Sequence, residues 1–565
     1  MLYQLLIFIA ILLLIIGIIL LARSKQKEKG LKKAKERWGK PKSGYLNWSE
    51  IVAYQNSFSD ESTEDSIDSQ TSGDLDLRNV FAQFNHTYSK VGEQILWKNL
   101  HSPKSELSEL EQFDDLVENL RGEEDVRLPF QLELQKLNNS KDYYFPQLFF
   151  GETMNSPKWA SFVWIWQIFT LVSLIGSFFI PQLSILLILV LTSNMILHFV
   201  NKQRVLRYAQ AFQRLPVLLK VAKNLTKNLA DNPIYNSKNI LQADFQKLRN
   251  LKFRLFILSG NSTQEIDPLG IIWFFSEVIK SLTLMETAAF HKLLLGIRKH
   301  QKPIRNVFEF VGNLDFALSV ASLRSSRTDW VKPQLTPTEK GTQPELKFKN
   351  LRHPLIENCV GNSLELAEKG ILITGSNMSG KSTFLRTVGL NAVLAQTTFT
   401  VFADSYQVPF LKISSSMRIA DDLSESASYY MNEILSIKNL LETANSSQKP
   451  CLFLIDELFK GTNTPERVSS ATAVLKYLSG KSHFPLIATH DVEICNWLNQ
   501  QYETFHFQED VDSDGLQFDY QIKTGLPSQT NAIKLLEFVE FPKEVVEEAK
   551  VIFMSQKNPK TSLDT

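Results

Sequence analysis

Two stretches of the chain are apolar over lengths that helices of soluble proteins seldom reach. Residues Leu5 to Ala22 are 18 consecutive apolar or glycine residues, which is enough to cross a bilayer. Residues Trp159 to Val200 contain no Lys, Arg, Asp or Glu, and Pro181 near their middle predicts a helical hairpin of two spans. The alternatives are a cleaved signal peptide for the first stretch and a buried hairpin of a soluble core for the second.

The charges that flank these stretches predict their orientation. Residues 23–42 hold ten Lys or Arg and two Glu, and basic residues lie on both sides of the hairpin. Because the positive-inside rule keeps such flanks in the cytoplasm, we expect three spans in the cell (inner) membrane with the N-terminus outside. A shorter apolar block, Leu269 to Leu284, carries Glu277 and Lys280. This block predicts a core or interfacial helix, not a fourth span.

The remaining periodicity predicts a multi-domain chain with transmembrane helices, an α-helical core and a C-terminal α/β domain. The predicted order is a transmembrane anchor (1–22), a basic then acidic linker (23–76), the first part of a helical core (77–157), the transmembrane hairpin (158–200), the second part of the helical core (201–340) and the α/β domain (341–565). The net charge says nothing about partners, because 61 Lys and Arg balance 60 Asp and Glu. The three cysteines are isolated, which excludes a disulfide framework and argues against structural zinc.

The α/β domain contains a phosphate-binding pattern, G-x-x-x-x-G-K-[ST], between an apolar strand and a helical segment. Backbone N–H groups of such a loop surround phosphate oxygens, its lysine reaches the β- and γ-phosphates, and the hydroxyl that follows binds Mg²⁺. The sequence therefore predicts ATP and Mg²⁺ as cofactors. The predicted nucleotide-binding residues are Gly375, Ser376, Asn377, Met378, Ser379, Gly380, Lys381, Ser382 and Thr383.

Two further apolar strands end in polar residues that suit hydrolysis. The first ends in Asp456 and Glu457, which predicts a second Mg²⁺ ligand beside Ser382 and a group that orients or deprotonates the attacking water. The second ends in Thr489 and His490. The order of the three motifs resembles that of ABC-type ATPases, whose switch histidine follows the same strand, and this resemblance implies that His490 senses the γ-phosphate. We therefore expect Lys381, Glu457 and His490 to be catalytic.

Taken together, these segments resemble the MutS mismatch-repair ATPases. The resemblance includes R-H-P at residues 352–354, T-G-S-N-M-S-G-K-S-T at 374–383, D-D-L at 421–423, S-Y-Y-M-N-E at 428–433, D-E-L-F-K-G-T-N-T at 456–464 and T-H at 489–490. It extends to N-H-T-Y-S with Gly92 at the start of the helical core. The resemblance implies a homodimer in which Ser428 contacts the γ-phosphate of the nucleotide held by the other subunit, so that Ser428 is also catalytic. It implies DNA as a partner.

The chain departs from the family pattern in ways that leave alternatives open. About 76 residues precede the core, so we expect no mismatch-reading domain, and the apolar hairpin divides the core. Twelve Lys or Arg against two Asp between Lys202 and Arg254 would suit DNA phosphates or anionic lipid. The main expectation is a membrane-anchored MutS-like ATPase that couples hydrolysis to mismatched or branched DNA. The alternatives are an ATP-gated membrane tether or assembly factor without DNA, and a transporter-type ABC ATPase.

Overall fold

A computed structural model of the chain describes residues 28–57, 65–150, 161–229, 238–248, 271–337, 344–367, 369–376, 379–417, 429–512, 515–527 and 532–557, with isolated positions before residue 28. The predicted first span therefore lies outside the described residues. Helices and sheets are both present, and the chain forms two compact units, which confirms a mixed, multi-domain fold. Unit 1 comprises residues 1–62, 84–98 and 112–326, and unit 2 comprises residues 63–83, 99–111 and 327–565.

The part of the chain before residue 327 is helical. Residues 28–37 are helical, and the helices that follow are α1 (Trp48–Ile51), α2 (Ala53–Asn56), α3 (Ser69–Asp74), α4 (Leu77–Phe84), α5 (Lys90–Leu100), α6 (Leu107–Gly122), α7 (Glu124–Leu134), α8 (Gln147–Phe150), α9 (Val163–Phe179), α10 (Leu183–Asn228), α11 (Lys238–Leu248), α12 (Ile271–Thr283), α13 (Met285–Lys299) and α14 (Gln301–Ser326). Short 3-10 helices at Gln135–Leu137 and Ser140–Tyr144 join α7 to α8.

The apolar hairpin is formed by α9 and the first part of α10. Residues Leu183–Val200 have a mean hydropathy of 2.2, and 17% of them are buried, so this stretch is long and apolar enough to cross a membrane. The other arm, Val163–Phe179, is apolar but shorter. Among the described residues, only the Leu183–Val200 stretch passes this test, so three spans are not demonstrated. Helix α10 continues without interruption to Asn228 and contains Pro216.

A buried carboxylate fixes the start of the helical core in unit 1. Asp315 on α14 is fully buried and accepts hydrogen bonds from the backbone N–H of Tyr88 (2.8 Å) and from the N–H and hydroxyl of Ser89 (2.7 and 2.5 Å). A Cβ atom on Gly92 would lie 2.1 Å from Oδ2 of Asp315. Only glycine lets α5 approach the carboxylate this closely, because any other residue would place its Cβ against Asp315.

Unit 2 is built on a six-stranded sheet. Its strands and helices are β1 (Gln334–Thr336), β2 (Leu346–Leu351), β3 (Asn362–Leu366), β4 (Gly370–Thr374), α15 (Lys381–Thr397), β5 (Ser405–Pro409), β6 (Lys412–Ser416), α16 (Tyr429–Ser446), β7 (Cys451–Asp456), α17 (Thr464–Ser479), β8 (Phe484–Ala488), α18 (Val492–Trp497), β9 (Tyr502–His506), β10 (Glu509–Asp512), β11 (Gly515–Phe518), β12 (Lys523–Thr524), α19 (Ala532–Phe538) and α20 (Lys543–Lys557).

The strand order of this sheet is β12-β9-β4-β8-β7-β6. The five strands from β9 to β6 are parallel, and β12 pairs antiparallel with β9. Strands β4 and β8 are buried along their whole length, as expected of apolar strands in the middle of a parallel sheet. A second sheet has the order β1-β5-β2-β3, and β10 and β11 form a hairpin.

The structure differs from the sequence-based interpretation within the acidic linker. Residues 69–74, which we predicted to belong to the linker, form helix α3, capped by the Asp68 side chain at the N–H of Thr71 (2.6 Å). Asp74 is 2% exposed and accepts hydrogen bonds from the hydroxyl of Ser415 (2.6 Å) and the N–H of Met417 (2.9 Å). These partners replace water, so the carboxylate of Asp74 is stably buried within unit 2.

Candidate nucleotide-binding site

The three predicted motifs meet at one edge of the six-stranded sheet. Strand β8 lies between β4 and β7, and Ala488 pairs with Ile373 on one side and with Asp456 on the other. Because the three strands are parallel, the residues that follow them emerge together at their carboxyl ends. The phosphate-binding pattern, the acidic pair and His490, which together span more than 100 positions of the sequence, thus come from adjacent strand ends.

The loop after β4 has the backbone that its glycines permit. Gly375 has φ +135° and Gly380 has φ +109°, a region that other residues rarely adopt. A Cβ atom on Gly375 would also lie 2.6 Å from the carbonyl oxygen of Phe507. The hydroxyl of Ser379 donates to the carbonyl of Ser376 (2.7 Å) and closes the turn. The predicted contacts of Asn377 and Met378 lie outside the described residues.

Lys381 begins α15 and is 3% exposed. Its Nζ donates to the carbonyl oxygens of Gly375 (2.6 Å) and Ser376 (2.7 Å), so the ammonium group lies inside the loop. Burial lowers the pKa of Lys381, while the carboxylates of Asp456 and Glu457 act to raise it. The strand ends therefore bring the loop lysine and the acidic pair into one electrostatic environment.

Glu457 is held in a single orientation. It has φ +65°, and its N–H donates to the carbonyl of Ala488 (2.9 Å). Its carboxylate lies 3.1 Å from Nδ1 of His490 and 3.2 Å from Nζ of Lys460. Burial acts to raise the pKa of Glu457, but Lys460 and His490 outweigh it and hold that pKa below its usual value. Glu457 is therefore an ionised acceptor at neutral pH.

Helix α16 supports the segment that carries Glu457. Glu433 is 2% exposed and accepts from the N–H groups of Lys460 (2.9 Å) and Gly461 (3.4 Å). A Cβ atom on Gly461 would lie 3.0 Å from the side chain of Tyr430, so glycine allows the close approach. The sequence pattern included Glu433 without assigning it this role. Ser428, which precedes α16, lies outside the described residues.

A cavity of about 550 Å³ opens beside the loop. Gly380, Ser382 and Thr383 form one side of it, and Ile356 and Tyr520 are among the residues that complete its lining. The ring of Tyr520 would lie 3.4 Å from a Cβ on Gly380. Sequence reasoning missed Tyr520, because it reaches the loop from a segment 140 positions further along the chain.

Side-chain contacts position Tyr520 in the wall of this cavity and Ser376 in the loop beside it. Asn362 donates from Nδ2 to the carbonyl of Tyr520 (3.0 Å) and accepts from the N–H of Ile522 (2.8 Å). Ser376 donates from its hydroxyl to the carboxylate of Glu509 on β10. Neither Asn362 nor Glu509 belongs to a recognisable motif, so no local pattern in the sequence identifies them as part of the site.

The residues present fit a nucleotide with a bound cation. The two left-handed glycines leave a cradle that Cβ atoms would fill, and the buried ammonium of Lys381 supplies positive charge inside it. Ser382 in the first turn of α15 and Asp456 at the end of β7 offer a hydroxyl and a carboxylate, the hard oxygen donors that Mg²⁺ prefers.

Comparison with known proteins agrees with this geometry. The family described as MutS domain V matches residues 371–556. The DNA mismatch repair protein MutS of Aquifex pyrophilus is 30% identical over 278 residues, 47% of this chain and 32% of that protein. MutS from Thermus thermophilus is 30% identical over 271 residues, 47% of this chain and 32% of that protein. Human MutS protein homolog 4 is 32% identical over 282 residues, 46% of this chain and 28% of that protein.

The chain thus matches about a third of the length of these relatives. The matched family covers the loop, the acidic pair and His490, which are the residues that the sheet brings together. Residues 371–556 of this chain are therefore similar to the family described as MutS domain V.

Proposed function

We propose that unit 2 binds Mg²⁺ and ATP and hydrolyses the γ-phosphate bond. The observation that carries the proposal is the meeting of the Lys381 loop, Asp456 with Glu457, and His490 at the carboxyl edge of three adjacent parallel strands. The match to MutS domain V, a family of ATPases, supports it. The cavity beside Gly380 provides room for the base and sugar of the nucleotide.

Each residue has a role that its surroundings support. Loop N–H groups and Lys381 bind phosphate oxygens. Ser382 and Asp456 would hold Mg²⁺, which neutralises phosphate charge when bound. Glu457, ionised and fixed between Lys460 and His490, orients or deprotonates the attacking water. His490, about half exposed beside Glu457, is placed to respond to the terminal phosphate.

Nucleotide binding by the Lys381→Ala variant tests this proposal. Purified full-length protein is titrated with ATP and Mg²⁺ and followed by calorimetry. We expect the variant to lose tight binding, because the buried ammonium inside the loop is removed. The matched control is Lys476→Ala on the exposed side of α17, which should bind as the wild type does. Equal binding by Lys381→Ala and wild type would show that the loop does not hold phosphate.

We also propose that two copies form one working unit and that Ser428 of each completes the other's site. The support is the resemblance of residues 428–433 to the MutS signature, together with the contact of Glu433 with the segment that follows Glu457. Ser428→Ala should then reduce hydrolysis only in the dimer. An equal loss in a protein held monomeric by dilution would contradict a role across the interface.

The apolar hairpin supports a membrane location for unit 1. On Leu183–Val200, Ile185, Ile188 and Leu189 are each more than 60% exposed, a surface that water would disfavour. A polar side chain of the same stretch faces inward instead: Asn194 donates to the hydroxyl of Thr170 (3.0 Å). We propose that the hairpin lies in the cell (inner) membrane and that unit 2 is cytoplasmic.

DNA is the partner that the relatives' names suggest, since MutS is a DNA mismatch repair protein. We propose that the dimer couples ATP hydrolysis to binding of mismatched or branched DNA. Detergent-solubilised protein should bind mismatched duplex or junction DNA more tightly than matched duplex, with an affinity that falls as salt rises. Absence of binding to all three DNA types at low salt would favour a nucleotide-gated membrane tether instead.

A further inference from the structure

Three ionisable side chains from separate helices converge inside unit 1, whereas the candidate nucleotide site belongs to unit 2. They are His198 on α10, Glu277 on α12 and Glu286 on α13. One ligand atom from each lies within 4.8 Å of the other two. His198 is 2% exposed and Glu286 is 4% exposed, so the group is largely shielded from water.

The contacts within this cluster leave one carboxylate oxygen unsatisfied. Nδ1 of His198 lies 3.7 Å from Oε2 of Glu286, and Nε2 lies 3.7 Å from Oε2 of Glu277. Both distances exceed those of a hydrogen bond. Oε2 of Glu286 is buried and has no hydrogen-bond partner among the described residues. A buried carboxylate oxygen without a partner is costly, so this atom points to a missing ligand.

The apolar surroundings of the three side chains raise the free-energy cost of leaving Oε2 of Glu286 without a partner. Leu284 and Val163, which are 1% and 3% exposed, form an apolar cluster with Leu197 and Ala288, which are one and two positions from His198 and Glu286 in the chain. Lys280 lies 3.5 Å from Glu277 and balances one carboxylate.

We propose that His198, Glu277 and Glu286 bind a divalent transition-metal ion. One imidazole nitrogen and one oxygen from each glutamate form a three-ligand set of the kind that zinc accepts, with a further position open to water. Ligand atoms around one tetrahedral ion lie roughly 3.4 Å apart, given bonds of about 2.1 Å. The ligand atoms lie within 4.8 Å of one another in the structure, so binding would require the glutamate side chains to rotate toward the ion.

Such an ion would join three helices at one point. Its ligands come from the apolar part of α10 and from both sides of Leu284, a residue with φ +51° that links α12 to α13. The bound ion would therefore fix the angle between the hairpin and these two helices. This role is structural and involves no change of oxidation state.

Zinc binding by the full-length protein tests the proposal. Protein purified in detergent is stripped with chelator, desalted and titrated with Zn²⁺, and bound zinc and the midpoint of thermal unfolding are measured. We expect one equivalent of zinc and a saturable rise in the midpoint for wild type. His198→Ala and Glu286→Gln should lose both effects, while His291→Ala, a nearby histidine on α13 outside the cluster, should keep them. Co²⁺ in place of Zn²⁺ should give visible absorption bands that depend on His198.

The isosteric Glu286→Gln change also distinguishes metal binding from a simple ion pair between His198 and Glu286. Without metal, it should be at least as stable as metal-free wild type, because it removes an unsatisfied buried charge. A less stable Glu286→Gln protein would mean that the Glu286 carboxylate is already stabilised without metal, and the proposal would fail. It would also fail if wild type retained no zinc, or if all variants retained it equally.

Discussion

Oε1 of Glu457 lies 3.1 Å from Nδ1 of His490, although 33 positions separate the two residues in the chain. The contact exists because β7 and β8 are adjacent and parallel and each residue follows its strand directly or within two positions. Lys460 holds the carboxylate at 3.2 Å through its other oxygen. The acid that we assign to water activation is thus oriented by two basic groups, one of which is placed to respond to phosphate.

Replacement of Glu457 by glutamine should separate binding from turnover. The amide keeps the shape of the side chain but cannot accept a proton, so ATP should still bind while hydrolysis falls by about 10²-fold or more. Steady-state phosphate release and nucleotide binding are measured on the same preparation. Hydrolysis at the wild-type rate would show that another group activates the water.

Removal of Lys460 should change the pH dependence of hydrolysis. Lys460 is the largest influence that lowers the pKa of Glu457 against the effect of burial. In Lys460→Ala the folded-state pKa of Glu457 should rise, so the carboxylate becomes protonated, and activity is lost, at a higher pH than in wild type. The acidic limb of the pH–rate profile should move upward, while Lys476→Ala should leave it in place. An unmoved limb in Lys460→Ala would contradict the assignment.

Gly92→Ala should destabilise unit 1. The added Cβ would lie 2.1 Å from Oδ2 of Asp315, a carboxylate that three hydrogen bonds hold in place. Overpacking of this kind costs about 1–3 kcal/mol. The matched control is Gly122→Ala at the end of α6, where nothing lies within 4 Å of the new atom. Thermal unfolding should show a lower midpoint for the first variant and an unchanged midpoint for the second.

Arginine at Leu189 should weaken membrane attachment. Leu189 is 62% exposed near the middle of the apolar part of α10, and an arginine at the centre of a span costs about 2.5–3.5 kcal/mol. Leu189→Arg combined with Ile188→Arg should raise the fraction of protein released from membranes by alkaline carbonate. Trp497→Arg, a similarly exposed position in unit 2, should not. Full retention of the double variant would argue that the hairpin packs against protein.

The sequence predicts which segments meet at the sheet edge because each motif directly follows an apolar strand. Lys381, Asp456 and His490 are recognisable locally, and parallel pairing alone brings their segments to one edge. The division into helical and α/β parts follows from periodicity in the same way. Ser428 and the first span remain predictions, since both lie outside the described residues.

The contacts that sequence reasoning missed are those made between distant segments. Asp74 looks like part of a solvated acidic stretch, and only its bonds to Ser415 and Met417 explain its burial. Tyr520 lines the cavity because Asn362 holds its carbonyl. In each case a polar group is satisfied by a partner more than 150 positions away, which no local pattern encodes.

Helix α10 spans 46 residues, about 69 Å at 1.5 Å per residue, and its apolar and polar parts belong to one hydrogen-bonded rod. A tilt imposed at its Asn228 end is therefore passed along the helix toward the apolar end, reduced by any bending within it. Pro216 lacks the N–H that would complete the turn before it, so bending is easiest there. In the proposed membrane location, a force that the bilayer exerts on the apolar part of α10 would act through the same helix on the rest of unit 1.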